Sequence, residues 1–211
     1  MIPRNSPEVR EFLTHTYEDL KSSGIELNLA PESHVFYPPQ YTTACNGYFV
    51  INPHILAVGT GKDFDFWFPI YVHEYCHYRQ WKEEDPEYTN GFIDGKEVFD
   101  YVDEALDGIR PSSKKEYLDW VKRAQILEAN CERRARAMIV EWKLPLDEKE
   151  YSQKANSYLH FYNYIGSHRR WYAPGREPYN IPEVWQAFNT TIDSSFPENW
   201  NYTKLYENCC I

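Results

Sequence analysis

His73, Glu74, Tyr75, Cys76 and His77 spell an H-E-x-x-H pentapeptide. On a helix, residues four apart project from the same side, so two imidazoles at i and i+4 can grip one metal ion while the intervening glutamate flanks it. A catalytic zinc takes three protein ligands and keeps its fourth position open for water. Bound zinc brings the pKa of that water down toward 7. Glu74 then has the place of a general base, taking the water's proton and passing it to a leaving amine. The pattern therefore predicts a zinc-dependent hydrolase with His73 and His77 as metal ligands and Glu74 as the catalytic residue. The plain alternative is two histidines on an ordinary helix.

A third ligand is expected on a later helix. Ser113 and Glu116 form a capping box, and the segment from Lys114 to Trp142 is rich in helix formers. Its inward stripe reads Tyr117, Val121, Ala124, Glu128, Cys131, Ala135, Met138 and Trp142, in alternating steps of four and three. Glu128 is an acid within an apolar seam, and a buried carboxylate costs several kcal/mol unless something compensates it. A metal ion would do so, which makes Glu128 the candidate third ligand. Glu132 lies one turn on and is cast as a partner that orients a ligand histidine. The competing reading pairs both glutamates with Arg133, Arg134 or Arg136.

With these residues in place the chain resembles the gluzincin group of zinc metallopeptidases, which carry H-E-x-x-H on one helix and a glutamate ligand on a later one. Its pattern is similar to the ImmA/IrrE-type peptidases, whose late helix runs roughly E-x-x-C/A-N-x-x-A before a short apolar run and a proline. Here those positions read Glu128, Cys131, Glu132 and Ala135, then Met138, Ile139 and Pro145. The likeness spans residues 48 to 145 loosely and is specific only in the two helices. It implies an α+β fold, a mainly helical zincin-like domain with a small curled β-sheet next to the motif helix. It also implies Zn2+ as cofactor, a protein or peptide as substrate, and an edge strand, placed at Ile55 to Val58, along which an extended peptide adds.

The elements that must position these residues are legible to different degrees. Ser6, Pro7 and Glu8 signal a helix start, with Phe12, Thr16 and Leu20 facing inward and Gly24 as the stop. Short β-like pieces follow at Ile25 to Leu29, Val35 to Tyr37, Tyr48 to Ile51 and Ile55 to Val58. Phe66 to Trp81 is the motif helix, apolar nearly all round and so expected to be buried. A short helix is expected from Lys96 to Leu106, and another, opened by Asp147 and Glu150, to about Ser167. On that last helix His160, Tyr164 and His168 line up opposite the main stripe, as a solvated face or as donors toward a reaction centre; Tyr164 and His168 are the candidate oxyanion donors. Pro182 to Phe188 is the one helix expected in the tail. The reading is of one zincin-like metallopeptidase domain over residues 1–170, with residues 171–211 as an extension wrapping the same domain.

Composition mainly excludes. A net charge of -10 and a pI near 5.2 disfavour nucleic acid. No apolar run approaches a membrane span, and the start lacks the hydrophobic stretch of a secretory signal, so a cytoplasmic protein is expected. Five cysteines, an odd number, are expected to stay reduced. The rival to a peptidase is a zinc-bound, non-catalytic protein-binding module using the same cleft.

Overall fold

The computed structural model describes residues 6–38 and 43–211. It is an α+β chain, mainly helical with small sheets. Two compact units are present: residues up to Glu83 together with Arg134–Asp147, and Glu84–Arg133 together with Glu148–Ile211.

In the first unit, α1 (Pro7–Ser22) starts where the sequence puts it, with Ser6 Oγ accepting from the Val9 amide at 3.2 Å. This satisfies one of the four amides that a helix start leaves without a partner. Its buried side chains are Val9, Phe12, Thr16 and Leu20. Five strands follow: β1 (Glu26–Ala30), β2 (Val35–Tyr37), β3 (Thr43–Cys45), β4 (Gly47–Ile51) and β5 (His54–Gly59). β3 has no counterpart among the expected strands. The main sheet has the order β1-β5-β4, with β1 parallel and β4 antiparallel to β5, while β2 and β3 form a separate antiparallel pair.

That topology corrects one expectation. Ile55 to Val58 lies in β5, the central strand, whose two edges are already paired to β1 and β4. A strand paired on both sides has no free ladder groups to offer a peptide. Among the described residues the edges of this sheet are β1 and β4.

α2 (Phe64–Lys82) carries the motif and buries Phe68, Tyr71, Val72, Glu74, Tyr75, Cys76, Tyr78 and Gln80. Phe12 of α1 is fully buried and meets Phe68, Tyr71, Tyr75 and Trp142 edge to face, with ring centroids 5.5–6.2 Å apart. Thr16 and Tyr71 add a buried hydroxyl pair at 2.6 Å. Phe12→Ala removes the ring that four aromatics share, so a loss of about 3–5 kcal/mol in unfolding free energy is expected, read by urea denaturation. A change under about 1 kcal/mol would mean that the cluster does not anchor α2.

The second unit begins with α3 (Pro86–Asn90) and a two-residue hairpin of β6 (Phe92–Ile93) and β7 (Lys96–Glu97). Asp94 and Gly95 connect them with φ of 52° and 79°, the doubly positive turn that matches strand twist. α4 (Val98–Leu106) follows, then α5 (Lys114–Glu141), α6 (Glu148–His168), α7 (Pro182–Trp185) and α8 (Trp200–Cys209). α5 starts in this unit and from Arg134 on belongs to the first. Its capping box is formed: the Glu116 amide donates to Ser113 Oγ at 3.2 Å and the Ser113 amide to Glu116 Oε2 at 2.9 Å. The stripe is buried from Tyr117 to Ala135, with Met138 and Trp142 half-buried.

α6 departs from its expected solvated side. His160 and Tyr164 are buried, at 4% and 5% exposure, and only His168 of that row is exposed. The cause is the tail: Val184, Phe188, Tyr206 and Cys210 join Phe161, Tyr162 and Ile165 in one core. α8, which has no counterpart among the expected elements, supplies Tyr206, whose hydroxyl donates to the Ser157 carbonyl at 2.8 Å. Among the described residues no helix is long and apolar enough to cross a membrane.

Candidate metal centre

His73 and His77 are half-buried on α2, one turn apart, with ring centroids at 4.7 Å and planes at 84°. Their Nε2 atoms stand 3.1 Å apart. Two nitrogens bound about 2.05 Å from one tetrahedral ion are separated by about 3.3 Å, so the pair is set close to the geometry zinc requires. At this separation the two nitrogens can share one hydrogen bond or converge on one cation.

The tautomer of His77 has a local cause. Its Nδ1 lies 2.9 Å from Gln80 Oε1, and Gln80 is fully buried. An amide oxygen only accepts, so Nδ1 donates and Nε2 keeps its lone pair for a metal. Gln80 thus orients the ring of His77. The signal was present in the spacing, since Gln80 is three residues beyond His77 on the same helix.

Glu74 is 8% exposed and is held against β4. A side chain at Gly47 would bring its Cβ within 2.8 Å of Ile70 Cγ2 and 3.1 Å of Glu74 Cγ. Glycine at this strand position is therefore what lets the stem of Glu74 approach the backbone of β4. Burial pushes the nearby Cys45 thiol up to about 12, and the negative charge of Glu74 adds to that effect. The carboxylate accordingly sits in a partly dry place beside an edge strand.

On α5, Glu128, Cys131 and Glu132 share one face by their spacing of three and four, and all three are buried, at 6%, 0% and 8% exposure. Glu132 accepts a hydrogen bond from the Tyr151 hydroxyl at 2.6 Å. Glu128 lies within electrostatic reach of Tyr162; burial raises that phenol well above its usual range and the Glu128 charge raises it further. The stripe acid is thus inside the protein, as the sequence indicates. Cys131 belongs to the regular stripe of α5 and lies three residues from Glu128 on the same buried face. It and the other four cysteines are free thiols.

Tyr164 and His168, the expected oxyanion donors, have partners in the second unit. Their rings stack at 4.2 Å and 8°, and His168 Nε2 lies 3.9 Å from Glu207. Comparison with known proteins finds no matching family model, no matching curated protein and no matching solved structure.

Proposed function

We propose that this chain is a zinc-dependent metallopeptidase with a zincin-like fold, hydrolysing peptide bonds in a protein substrate. The observation that carries the reading is the 3.1 Å approach of the two Nε2 atoms, with Gln80 fixing the tautomer of one ring. His73 and His77 hold Zn2+, and Glu128 from α5 is the third ligand. Zinc in such a set supplies Lewis acidity, which acidifies water to a pKa near 7 and polarises a carbonyl. Glu74 takes a proton from the attacking water and returns it to the leaving amine. Its burial against β4 holds the stem of the side chain in place. An extended substrate adds to the β4 edge rather than to β5, which brings its backbone past Glu74. Five free thiols fit a cytoplasmic setting.

A second reading has one observation in its favour. Cys131 is a fully buried thiol three residues from Glu128 on the same face of α5, and zinc sites that include a thiolate are more often structural than catalytic. If Cys131 is a ligand in addition to Glu128, the fourth position is closed and the chain is a zinc-bound, non-catalytic binding module.

Purified protein is expected to contain close to one zinc per chain by inductively coupled plasma mass spectrometry, and to cleave members of a denatured-proteome peptide library. Chelation is expected to stop cleavage, and added zinc to restore it. Protein that stays metal-free under zinc-replete conditions overturns both readings. One tightly held zinc with no cleavage anywhere in the library selects the binding module.

A further inference from the structure

In the second unit, one face of α6 holds the chain that follows α7 by a row of side chains. Gln153, Asn156, His160 and Asn163 recur at steps of three, four and three, so they share that face. Residues 189–197 are neither helix nor strand, and backbone groups without a ladder must find partners elsewhere. The row supplies them. Gln153 Nε2 donates to the Phe188 carbonyl at 3.0 Å, Asn156 Nδ2 to those of Asn189 and Thr191 at 3.0 and 2.7 Å, and Asn163 Nδ2 to those of Phe196 and Pro197 at 3.0 and 3.2 Å. Asn156 Oδ1 also accepts from the Asp193 amide at 2.9 Å. Three of the four residues are neutral amides that do not titrate. The fourth is an imidazole.

His160 is 4% exposed, with its Nε2 2.9 Å from Asp193 Oδ2. A carboxylate accepts, so Nε2 donates and the neutral ring has its lone pair on Nδ1. Nδ1 is buried and has no hydrogen-bond partner. Protonation would put a charged N–H at that position with neither an acceptor nor solvent to meet it, which costs more than an idle lone pair. Phe188, Phe196 and, from α8, Tyr202 pack around the ring with centroids 5.0–5.4 Å away. Asp193 pulls toward the charged ring, and its other oxygen accepts from Asn189 Nδ2 at 2.7 Å. Arg133 of α5 donates to the Asp193 carbonyl at 3.0 Å, and its positive charge disfavours a second one nearby. Glu198 borders the cavity beside the ring, together with the phenols of Tyr164, Tyr202 and Tyr206, which burial pushes up and so keeps neutral. Burial outweighs the pull of Asp193 and holds the imidazole below its ordinary range.

We propose that residues 186–197 form an acid-released strap on α6, with His160 as the group that senses the proton. While the strap is docked the ring stays neutral. Once the strap leaves, the ring meets water and regains its ordinary pKa of about 6.5. The docked value lies below the free one, so the docked state has its full stability above about pH 6.5 and loses it as pH falls through that value toward the docked one. Release takes up one proton, and the opening equilibrium therefore rises by up to about 10-fold for each pH unit within that window. Opening bares the side-chain amides of Gln153, Asn156 and Asn163, which then have donors to offer another extended backbone. Every group involved belongs to the second unit, and none depends on the metal-centre reading.

The test follows amide hydrogen exchange of the full chain by mass spectrometry from about pH 8 to about pH 5, with each rate corrected for its intrinsic pH dependence. Peptides covering residues 186–197 are expected to open up to about 10-fold more often per pH unit below about 6.5, while peptides from the buried middle of α5 keep their protection. His160→Gln retains an N–H for Asp193 and cannot titrate, so its strap should open equally often throughout that range. A second measurement uses the unaltered chain alone: the 15N shifts of the His160 ring should titrate with a midpoint below about 6.5. It decides the matter even where the variant does not fold. Strap protection that ignores pH in the unaltered chain, acid sensitivity undiminished in His160→Gln, opening that spreads equally to α5, or a ring that titrates at or above its ordinary value each overturns the proposal.

Discussion

Glu74→Gln is expected to lower kcat for peptide hydrolysis by about 100- to 10,000-fold while zinc stays bound at one per chain. The change keeps the shape of the side chain, so the contact between its stem and Gly47 survives and the fold should not be disturbed. What it removes is proton affinity. Glutamine cannot take a proton from water, and the amide offers none to the leaving amine. The zinc content is the necessary companion measurement, because a loss of metal would explain a loss of turnover by a different route. Turnover retained in the variant, with zinc retained, would show that Glu74 is not the base.

Glu128→Ala should lower zinc affinity by more than about 100-fold, since it deletes one of three proposed ligands. Glu132→Ala should cost about 10- to 100-fold, as changes to residues behind the ligands do. Its hydrogen bond from Tyr151 gives it a structural task within the second unit, so a modest loss of stability should accompany the change. Cys131→Ala decides between the two readings. If Glu128 is the third ligand and the fourth position is open, removing the thiol leaves affinity within about 10-fold and cleavage intact. If Cys131→Ala releases zinc while Glu128→Ala does not, the ligand set is two histidines and a cysteine, and the roles assigned on α5 are exchanged. Competition with a chromogenic chelator measures all three affinities on one scale.

The helices were the most legible part of the chain. Ser6 with Pro7, and Ser113 with Glu116, are local devices that satisfy the free amides of a helix start, and each lies where its residues predict. The burial of Glu128 could be read the same way, because α5 keeps a regular period over 28 residues and an acid in its stripe must go where the stripe goes. Gln80 is legible in principle, being one turn from His77 on the same helix, but glutamine is a common helix residue with many idle roles, so its type alone does not single it out. Cys131 is harder to assign from sequence: a cysteine in a seam fits as a small apolar side chain, and nothing nearby in the chain distinguishes a ligand from a filler.

Non-local pairing was not legible. Ile55 to Val58 is expected as an edge strand, but β1, some thirty residues earlier, pairs with β5 in parallel and takes its second edge. The sequence shows neither partner nor direction, because ladder bonds are made by backbone groups that every residue carries. His160 and Tyr164 looked like a wet face for the same kind of reason. Their burial depends on α8 and the preceding segment returning to cover α6, a contact between residues more than thirty positions apart.

The division follows the range of the forces. Amino-acid order alone determined where the helices start, which faces turn inward, and that two imidazoles and a carboxylate share one turn of α2, because caps and periodicity act over four or five residues. Only the folded chain decided which strand is left with an open edge, that a glycine on β4 admits the stem of Glu74, and that a tail closes over His160 and strands one of its nitrogens. Those outcomes arise from packing between distant segments, where the identity of a residue says how much it gains by burial but not what will bury it.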